Sequence, residues 1–538
     1  MNYLKYFAFT ILVIIQTLRL TAQEIQWSNH VGGHGNDYGT STVTDNEGNT
    51  YYSGIFKGFE CYFQTDTLYQ YGYNGAFIVK YDSKGNELWA KRYGGNSSDE
   101  VGQGFSDMVY DPSSDMIFCV GTIHTNAYGI RNILTKLDLN GNMIWMKTYP
   151  GASLSSGFSA MTLDANNDIY VTGSISTSAN FDTIPVEPGS FIARFDNNGN
   201  CKWAKRIIVS IYYVDICGIK VLNDKILVSG YMTCDKVIFI DTIKIDHKGL
   251  GSSMIMCFDE GCNVQWVTEG ISKMTYSYSD LAIDKDNNIY YTGCFRDTIS
   301  FSGNLLMTWP GMKDLFFVKM DKDGRVQWLS QTRASIAEGS DLISDSIGNT
   351  YVTGYFKGQA TFGNNKIVSF SDKDMFLARY STEGTCSGVI HFPNGDGNVL
   401  SLDAEGDLAF AFTFLNETTI GDSTYRSYNS LPLNTDLVFA KCAALTGIEE
   451  PGKTLQNSLS IYANPSNGKC TITIPDEFMN EKQLTLQVFD TRGRLIQQAP
   501  IEKADGKIKL NIEAQAKGSY TAILGNGKKS YTGKIIFR

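Results

Sequence analysis

DNEGNTYYSG (Asp45 to Gly54), DANNDIYVTG (Asp164 to Gly173), DKDNNIYYTG (Asp284 to Gly293) and DSIGNTYVTG (Asp345 to Gly354) are four copies of one phrase. Each opens on an Asp with a Gly or Asn two to three residues later, which suits a tight turn. Each closes on alternating residue types, which suit a half-buried strand. Weaker copies end at Gly121 and Gly230, and DAEGDLAFAF (Asp403 to Phe412) is a degraded seventh. A second phrase recurs in phase: AFIVKYD before the Asp82 turn, NILTKLD at Asp138, SFIARFD at Asp196, LFFVKMD at Asp321 and MFLARYS before Thr382. A Trp follows in register at Trp27, Trp89, Trp145, Trp203, Trp266 and Trp328, at spacings of 62, 56, 58, 63 and 62 residues. A fixed period of this length marks a repeat architecture.

Each period holds four short strands, and the ends of the array show how it closes. The Trp strand appears first at Trp27 with nothing before it, whereas the last apolar strand, DLVFAKCAAL (Asp436 to Leu445), has no Trp strand after it. Each is the other's missing partner. Counting a degenerate strand near Gly388, every strand type occurs seven times, so the expectation is a seven-bladed β-propeller of four-stranded blades. A β-helix or a string of sandwiches would also repeat, but an open array has no need of a split unit.

Composition agrees with an all-β chain. Its 538 residues include 52 Gly, only 11 Pro and 30 Tyr, too long for one core and rich in turn and strand formers. The net charge of -10 is uneven. Lys5 and Arg19 give the first segment +2, residues 446 to 538 carry 13 basic against 9 acidic side chains, and the remainder holds -16. An acidic body without clustered Lys and Arg excludes nucleic acid as the expected partner.

The first 22 residues read as a secretory signal, with Lys5, the apolar run Phe7 to Ile15 and a cleavage site after Ala22. Nine apolar residues are too few for a bilayer core, which takes ~20. No later segment is long and apolar enough either, so no transmembrane segment is expected in the mature form. Of the 11 Cys, Cys257 and Cys262 flank a turn and could be bridged.

The D-x-x-G-N-x-Y-x-T-G core, the following F-x-G (Phe56 to Gly58, Phe356 to Gly358) and the Trp strand resemble the SBBP-type β-propeller repeat of exported bacterial proteins. That resemblance covers residues 24 to 445 and implies fold and surface location, with no activity attached. Beyond a polar linker at 446–457, residues 458–538 read as one small Ig-like β-sandwich. SLSIYANPSNGKCTITI (Ser458 to Ile474), LQVFDTRGRLIQQ (Leu486 to Gln498), KGSYTAIL (Lys517 to Leu524) and GKIIFR (Gly533 to Arg538) resemble, in order, the C-terminal sorting domain of the type IX secretion system of Bacteroidetes. The resemblance implies passage to the periplasm, then across the outer membrane, with type IX secretion machinery as partner and a secreted or outer-membrane-surface product. Its sorting signal would lie in Asn464, Pro465, Asn467 and Gly468, in the basic hairpin Arg492, Gly493 and Arg494, and in Gly518 and Tyr520. Ala463 stands where the family usually has Pro.

Catalytic signatures are missing from the sequence: it carries no HExxH, G-x-S-x-G or P-loop. No cofactor or metal is expected. His30 and His34 read as part of a glycine-rich turn, and the Asp-rich turns lack the spacing of a calcium loop. The recurring Trp residues read as blade-core residues, because they repeat with the fold. The candidate ligand site is a ring of acidic residues in turns leading into the innermost strands: Asp37, Asp99, Asp341 and Asp396. The plainer reading is that each Asp caps its own turn. Two functions stay open: a non-catalytic surface protein whose propeller face binds a protein or glycan, and a secreted glycan-acting enzyme using face carboxylates as acid and base.

Overall fold

The computed structural model describes residues 25–443 and 459–537, apart from loop segments at 71–73, 95–99, 154–155, 210–213, 233–236, 241–242, 247–250, 277–280, 429–433, 463–467, 476–477, 479–483, 491–494, 502–505 and 527–529. The signal, the linker, Asp99, Asn464, Pro465, Asn467, Arg492, Gly493 and Arg494 lie outside the described residues. The chain is all-β, with antiparallel pairing throughout its sheets. It divides into two compact units at Gly447 and Ile448.

In the first unit the repeat phrases become four-stranded motifs. Sheet one runs Asp37–Thr44, Thr50–Phe56, Gly75–Tyr81 and Glu87–Tyr93. Sheets two, three and four open with Glu100–Asp111, Phe158–Leu163 and Val214–Leu222, and sheet five with Leu281–Ile283. The long strand Val326–Ser344 ends sheet five and opens sheet six. The last group, Gly395–Leu402, Leu408–Leu415 and Thr435–Cys442, takes Ile25–Gly33 as its fourth strand, pairing His30 with Val438 across the length of the unit.

The opening strands touch one another in turn, and Gly395–Leu402 returns to touch Asp37–Thr44. Seven apolar clusters fill the spaces between successive groups. Strand alternation produces this: Tyr51 and Ile78 face sheet two, whereas Tyr52 and Phe77 face the closing group. Third strands such as Gly75–Tyr81 are therefore buried on both faces along their whole length.

The turns and the Trp residues form one device. In each D-x-x-G turn the Asp carboxylate accepts N–H groups two and four residues on. Asp82 bonds Lys84 and Asn86, both at 2.9 Å, and Asp196 bonds Asn198 at 2.9 Å and Asn200 at 2.8 Å. The residue after this bend takes a positive φ, as at Gly85 (83°), Gly141 (71°), Gly199 (75°), Gly324 (77°) and Gly384 (81°). Over each glycine lies the Trp of the preceding group: Trp27 on Gly85, Trp89 on Gly141, Trp145 on Gly199, Trp266 on Gly324 and Trp328 on Gly384. A Cβ at Gly85 would stand 2.5 Å from Trp27 Cγ. In sheet four the same position is Cys262, which holds φ at 58° and is buried in one cluster with Trp203. The Cys257–Cys262 bridge that the turn allowed does not form, and none of the ten described cysteines is in a disulfide; Cys257 points from its strand into the core between sheets four and five. Gly388 occupies the Trp position of sheet six, opposite Arg379. Among the described residues it covers no turn, since the third and fourth strands of the next group, Thr435–Cys442 and Ile25–Gly33, come from opposite ends of the first unit.

The second unit has a three-stranded sheet (Ser460–Tyr462, Lys469–Thr473, Lys507–Asn511) and a four-stranded one (Leu495–Ile501, Leu484–Asp490, Gly518–Gly525, Ser530–Phe537) around one apolar core. Gly468 sits at φ 96°, its carbonyl accepting Ile512 N–H at 2.7 Å. Gly518 opens its strand in an exposed position, and Tyr520 is buried with its hydroxyl donating to the Ala516 carbonyl.

Candidate functional site

A cavity of about 950 Å³ runs among the opening strands of the first unit, lined by residues from every group. Six of those strands carry a bulge, where the register skips Thr40, Ser106, Ser159, Cys217, Ser340 and Asn398. These small polar residues share the lining with apolar ones such as Met108, Leu342 and Leu400. Next to two of the bulges stand Asp107 and Asp341. Asp341 accepts its neighbour Leu342 N–H and, from the next group, Leu400 N–H, both at 2.7 Å. Asp107 does the same with Met108 at 2.8 Å and Met161 at 2.9 Å. These carboxylates bridge the exposed edges of adjacent opening strands.

The expected acidic ring is thus distributed differently from its prediction. Asp341 lies within a strand and lines the cavity. Asp37 opens its strand but is fully buried, accepting Gly33 N–H at 2.9 Å. Burial, then the nearby Asp436 charge, pushes its carboxyl up to about 8. Asp396 lies near the start of its strand, with its side chain 32% exposed.

Its companions are residues that the sequence reading missed. Asp396, Glu338 and Asp215 hold one structural position, each opposite the residue that follows Phe412, Gly354 or Gly230. Asp215 accepts from Tyr231 at 2.6 Å, and Glu338 accepts from Tyr355. Lys313 reaches Glu338 at 2.6 Å, Lys373 pairs with Asp396, and the Lys373 ammonium also lies 3.7 Å from the Tyr355 ring centre. The result is a chain of groups across sheets five to seven: Lys313, Glu338, Tyr355, Lys373, Asp396. Burial and the Glu338 bond raise Tyr355. Asp396 is raised by its recessed setting and by Glu338, against the pull of Lys373. A pair-counting search could have found Glu338 by stepping back from each T-G-x-x phrase, but the bulges shift that count by one residue.

Three exposed rings stand at one position of the outer hairpins: Trp309 (67% exposed) and Phe370 (64%), a few residues before Lys313 and Lys373, and Tyr428 (45%). Each follows a residue whose N–H closes its hairpin, Thr308 on Asp297, Ser369 on Gly358 and Ser427 on Asn416. Phe370 stacks on His391 at 4.4 Å and 16°, and Tyr428 on His30 at 4.5 Å and 12°. Both imidazoles are anchored to buried carboxylates, His391 to Asp374 at 2.9 Å and His30 to Asp436 at 2.7 Å. Despite its burial, Asp374 is held below the usual carboxylate range by its bonds from His391 and Ser371. In sheet five Gln331 takes the histidine's place on Asp314. A His–Asp pair that recurs at equivalent positions with a Gln substitute is a support for the ring in front of it. His34 is apart from His30, exposed beside Glu60 at 3.2 Å. Among the described residues no group of three or more His, Cys, Asp or Glu side chains could hold a metal ion.

Residues 460–538 match the secretion system C-terminal sorting domain. This tail marks the chain as a protein exported to the cell surface or extracellular space by type IX secretion, whose machinery the tail engages. Among the described residues no helix is long and apolar enough to cross a membrane. An uncharacterized WD repeat-containing protein, L264, of Acanthamoeba polyphaga mimivirus is 24% identical over 389 residues, 63% of this chain, and the match spans 26% of that protein. Likenesses among solved structures include Drosophila Plexin A in complex with Semaphorin 1b (TM-score 0.36, 9% identity, 79% of this chain and 88% of that one). A subtype N10 neuraminidase-like protein of A/little yellow-shouldered bat/Guatemala/060/2010 gives 0.33, 8%, 79% and 99%. The extracellular domain of a one component system of B. thetaiotaomicron gives 0.30, 10%, 93% and 68%.

Proposed function

We propose that this chain is a non-catalytic binding scaffold displayed at or released from the bacterial surface. In this reading residues 23–445 are a seven-bladed β-propeller of SBBP-type repeats, residues 1–22 a signal that is removed, and residues 458–538 an Ig-like sorting sandwich. The observation that carries the reading is the exposed set of Trp309, Phe370 and Tyr428, with the Lys–carboxylate pairs a few residues on from the first two. Large exposed apolar side chains recurring at one structural position are the mark of a contact surface. The purified mature chain, applied to glycan and protein arrays, should retain a ligand without altering it.

Glu338 and Asp396 favour a second reading, a glycan-acting hydrolase or lyase, because two neighbouring carboxylates with one raised pKa are the groups such chemistry uses. Each carboxylate is already paired with a lysine, which favours the scaffold. Product analysis on any array hit separates the two: shortened glycan overturns the scaffold reading.

A further inference from the structure

Resting on that reading, we propose that the ligand is a neutral polysaccharide, laid across sheets five to seven with sugar rings of one chain stacked on Trp309, Phe370 and Tyr428.

Three features lead there. First, the rings are flat platforms with one side open. Phe370 and Tyr428 each have an imidazole stacked behind them at 4.4 and 4.5 Å, and Tyr62 leans on Tyr428 at 4.9 Å and 50°, which leaves the outward face of Phe370 and part of Tyr428 open. Second, the platforms are held rigidly before any ligand arrives. Phe370 N–H, Ser371 N–H and Ser371 Oγ all donate to Asp374, fixing the loop that carries the ring. Such preorganisation lowers the ordering cost of binding. Third, Trp309 and Phe370 stand within four residues of Lys313 and Lys373 along the chain, whose carboxylate pairs are partly open to solvent. An apolar platform beside a few fixed polar groups suits a pyranose, which offers a C–H face to the ring and hydroxyls to the ammonium and carboxylate.

The spacing of the features selects among ligands. One ring per sheet, each bordered by hydroxyl-bearing residues such as Thr308, Ser369 and Ser371, fits a chain of repeating units better than the continuous apolar centre of a protein contact. Single-stranded nucleic acid also stacks on aromatic rings, but it needs free cations along its backbone. Here Lys313 and Lys373 are neutralised by Glu338 and Asp396.

The test is native electrophoresis of the mature full chain through gels containing amylose, xylan, mixed-linkage β-glucan or galactomannan. At least one polymer should retard the chain. Trp309→Ala and Phe370→Ala, both exposed and so harmless to folding, should each weaken retardation by roughly 2- to 10-fold. Tyr128→Ala, removing a ring 76% exposed on sheet two, should leave it unchanged. No retardation by any polymer, or retardation indifferent to both variants, overturns the inference. A protein partner or self-association that disappears in Trp309→Ala, with no polymer retarded, overturns the carbohydrate assignment and leaves the scaffold reading standing. Ring-dependent retardation with release of shortened polymer supports the stacking site and removes the scaffold reading.

Discussion

Replacing Gly85 by Ala separates two costs that the Trp-covered turns combine. The first is conformational: at φ 83° an L-residue with a Cβ costs about 1–2 kcal/mol. The second is steric, since the new methyl would stand 2.5 to 2.7 Å from three atoms of Trp27, and overpacking of this kind costs about 1–3 kcal/mol. Gly129 supplies the control, with φ 67° and nothing within 4 Å of the methyl that alanine would add. Gly129→Ala should therefore lose only the first amount, and Gly85→Ala roughly 2–5 kcal/mol in all. Urea unfolding of the mature chain, with the midpoint and slope compared among variants, measures the difference. A double-mutant cycle with Trp27→Ala completes it: with the indole gone and only the Cβ of residue 27 left close to the new methyl, the Gly85→Ala loss should shrink toward that of Gly129→Ala. Equal losses at Gly85 and Gly129 in the parent, or an undiminished loss in the Trp27→Ala background, would refute the claim that each Trp is seated on the next turn's glycine.

Three further expectations follow from the same structure. Asp37 has a folded-state pKa near 8 against 3.8, so its neutral form supports folding fully below about pH 4, and that support is lost as pH rises to 8 and beyond. Asp37→Asn should remove this decline and raise the melting temperature above that of the parent at pH 9, by up to roughly 5 kcal/mol in stability; an unchanged pH profile would show that Asp37 is not the group responsible. Trp328→Gly should cost about 3–5 kcal/mol, whereas Gly388→Trp should bring no gain, because position 388 faces no turn; stabilisation on thermal melting would contradict the closure by the two chain ends. Deleting residues 459–538, or substituting Arg492 and Gly493 together, should leave the body in the periplasm on cell fractionation, and normal surface display of the deletion would sink the sorting role.

Much of this architecture was legible because turns and strands leave local marks. The D-x-x-G-N phrase encodes a self-bonded carboxylate and a left-handed residue, both within five positions, and the structure has them where the phrase stands. The split between Trp27 and Asp436 correctly named the pairing of Ile25–Gly33 with Thr435–Cys442. The Trp residues were readable as core, but their partners were not, since Gly85 lies 58 positions from Trp27 in another group. The Lys–carboxylate pairs were harder still. E-G-S-D offers two acids, and taking its Asp selected Asp341, three residues deeper than Glu338, because nothing in the spelling marks which of them precedes the bulge. Asp37 was read as a surface carboxylate because nothing near it in the sequence announces Asp436.

Repetition separates scaffold from site in this molecule. The Trp–turn contacts, the turn aspartates and the between-sheet clusters recur around most of the groups and close turns or join one group to the next, so they answer for stability. The Asp107 and Asp341 bridges, present in two groups, likewise join neighbouring edges around the cavity. A different character belongs to the groups left open to solvent. Among the described residues, Lys313 with Glu338, Lys373 with Asp396 and the exposed rings Trp309, Phe370 and Tyr428 at that hairpin position all stand on sheets five to seven. Burial would have stabilised those rings by about 25 cal/mol per Å², and the buried aspartates behind them hold two of the three in place against that pull. Anchored His–Asp pairs that keep two rings in water are what the proposed contact surface requires.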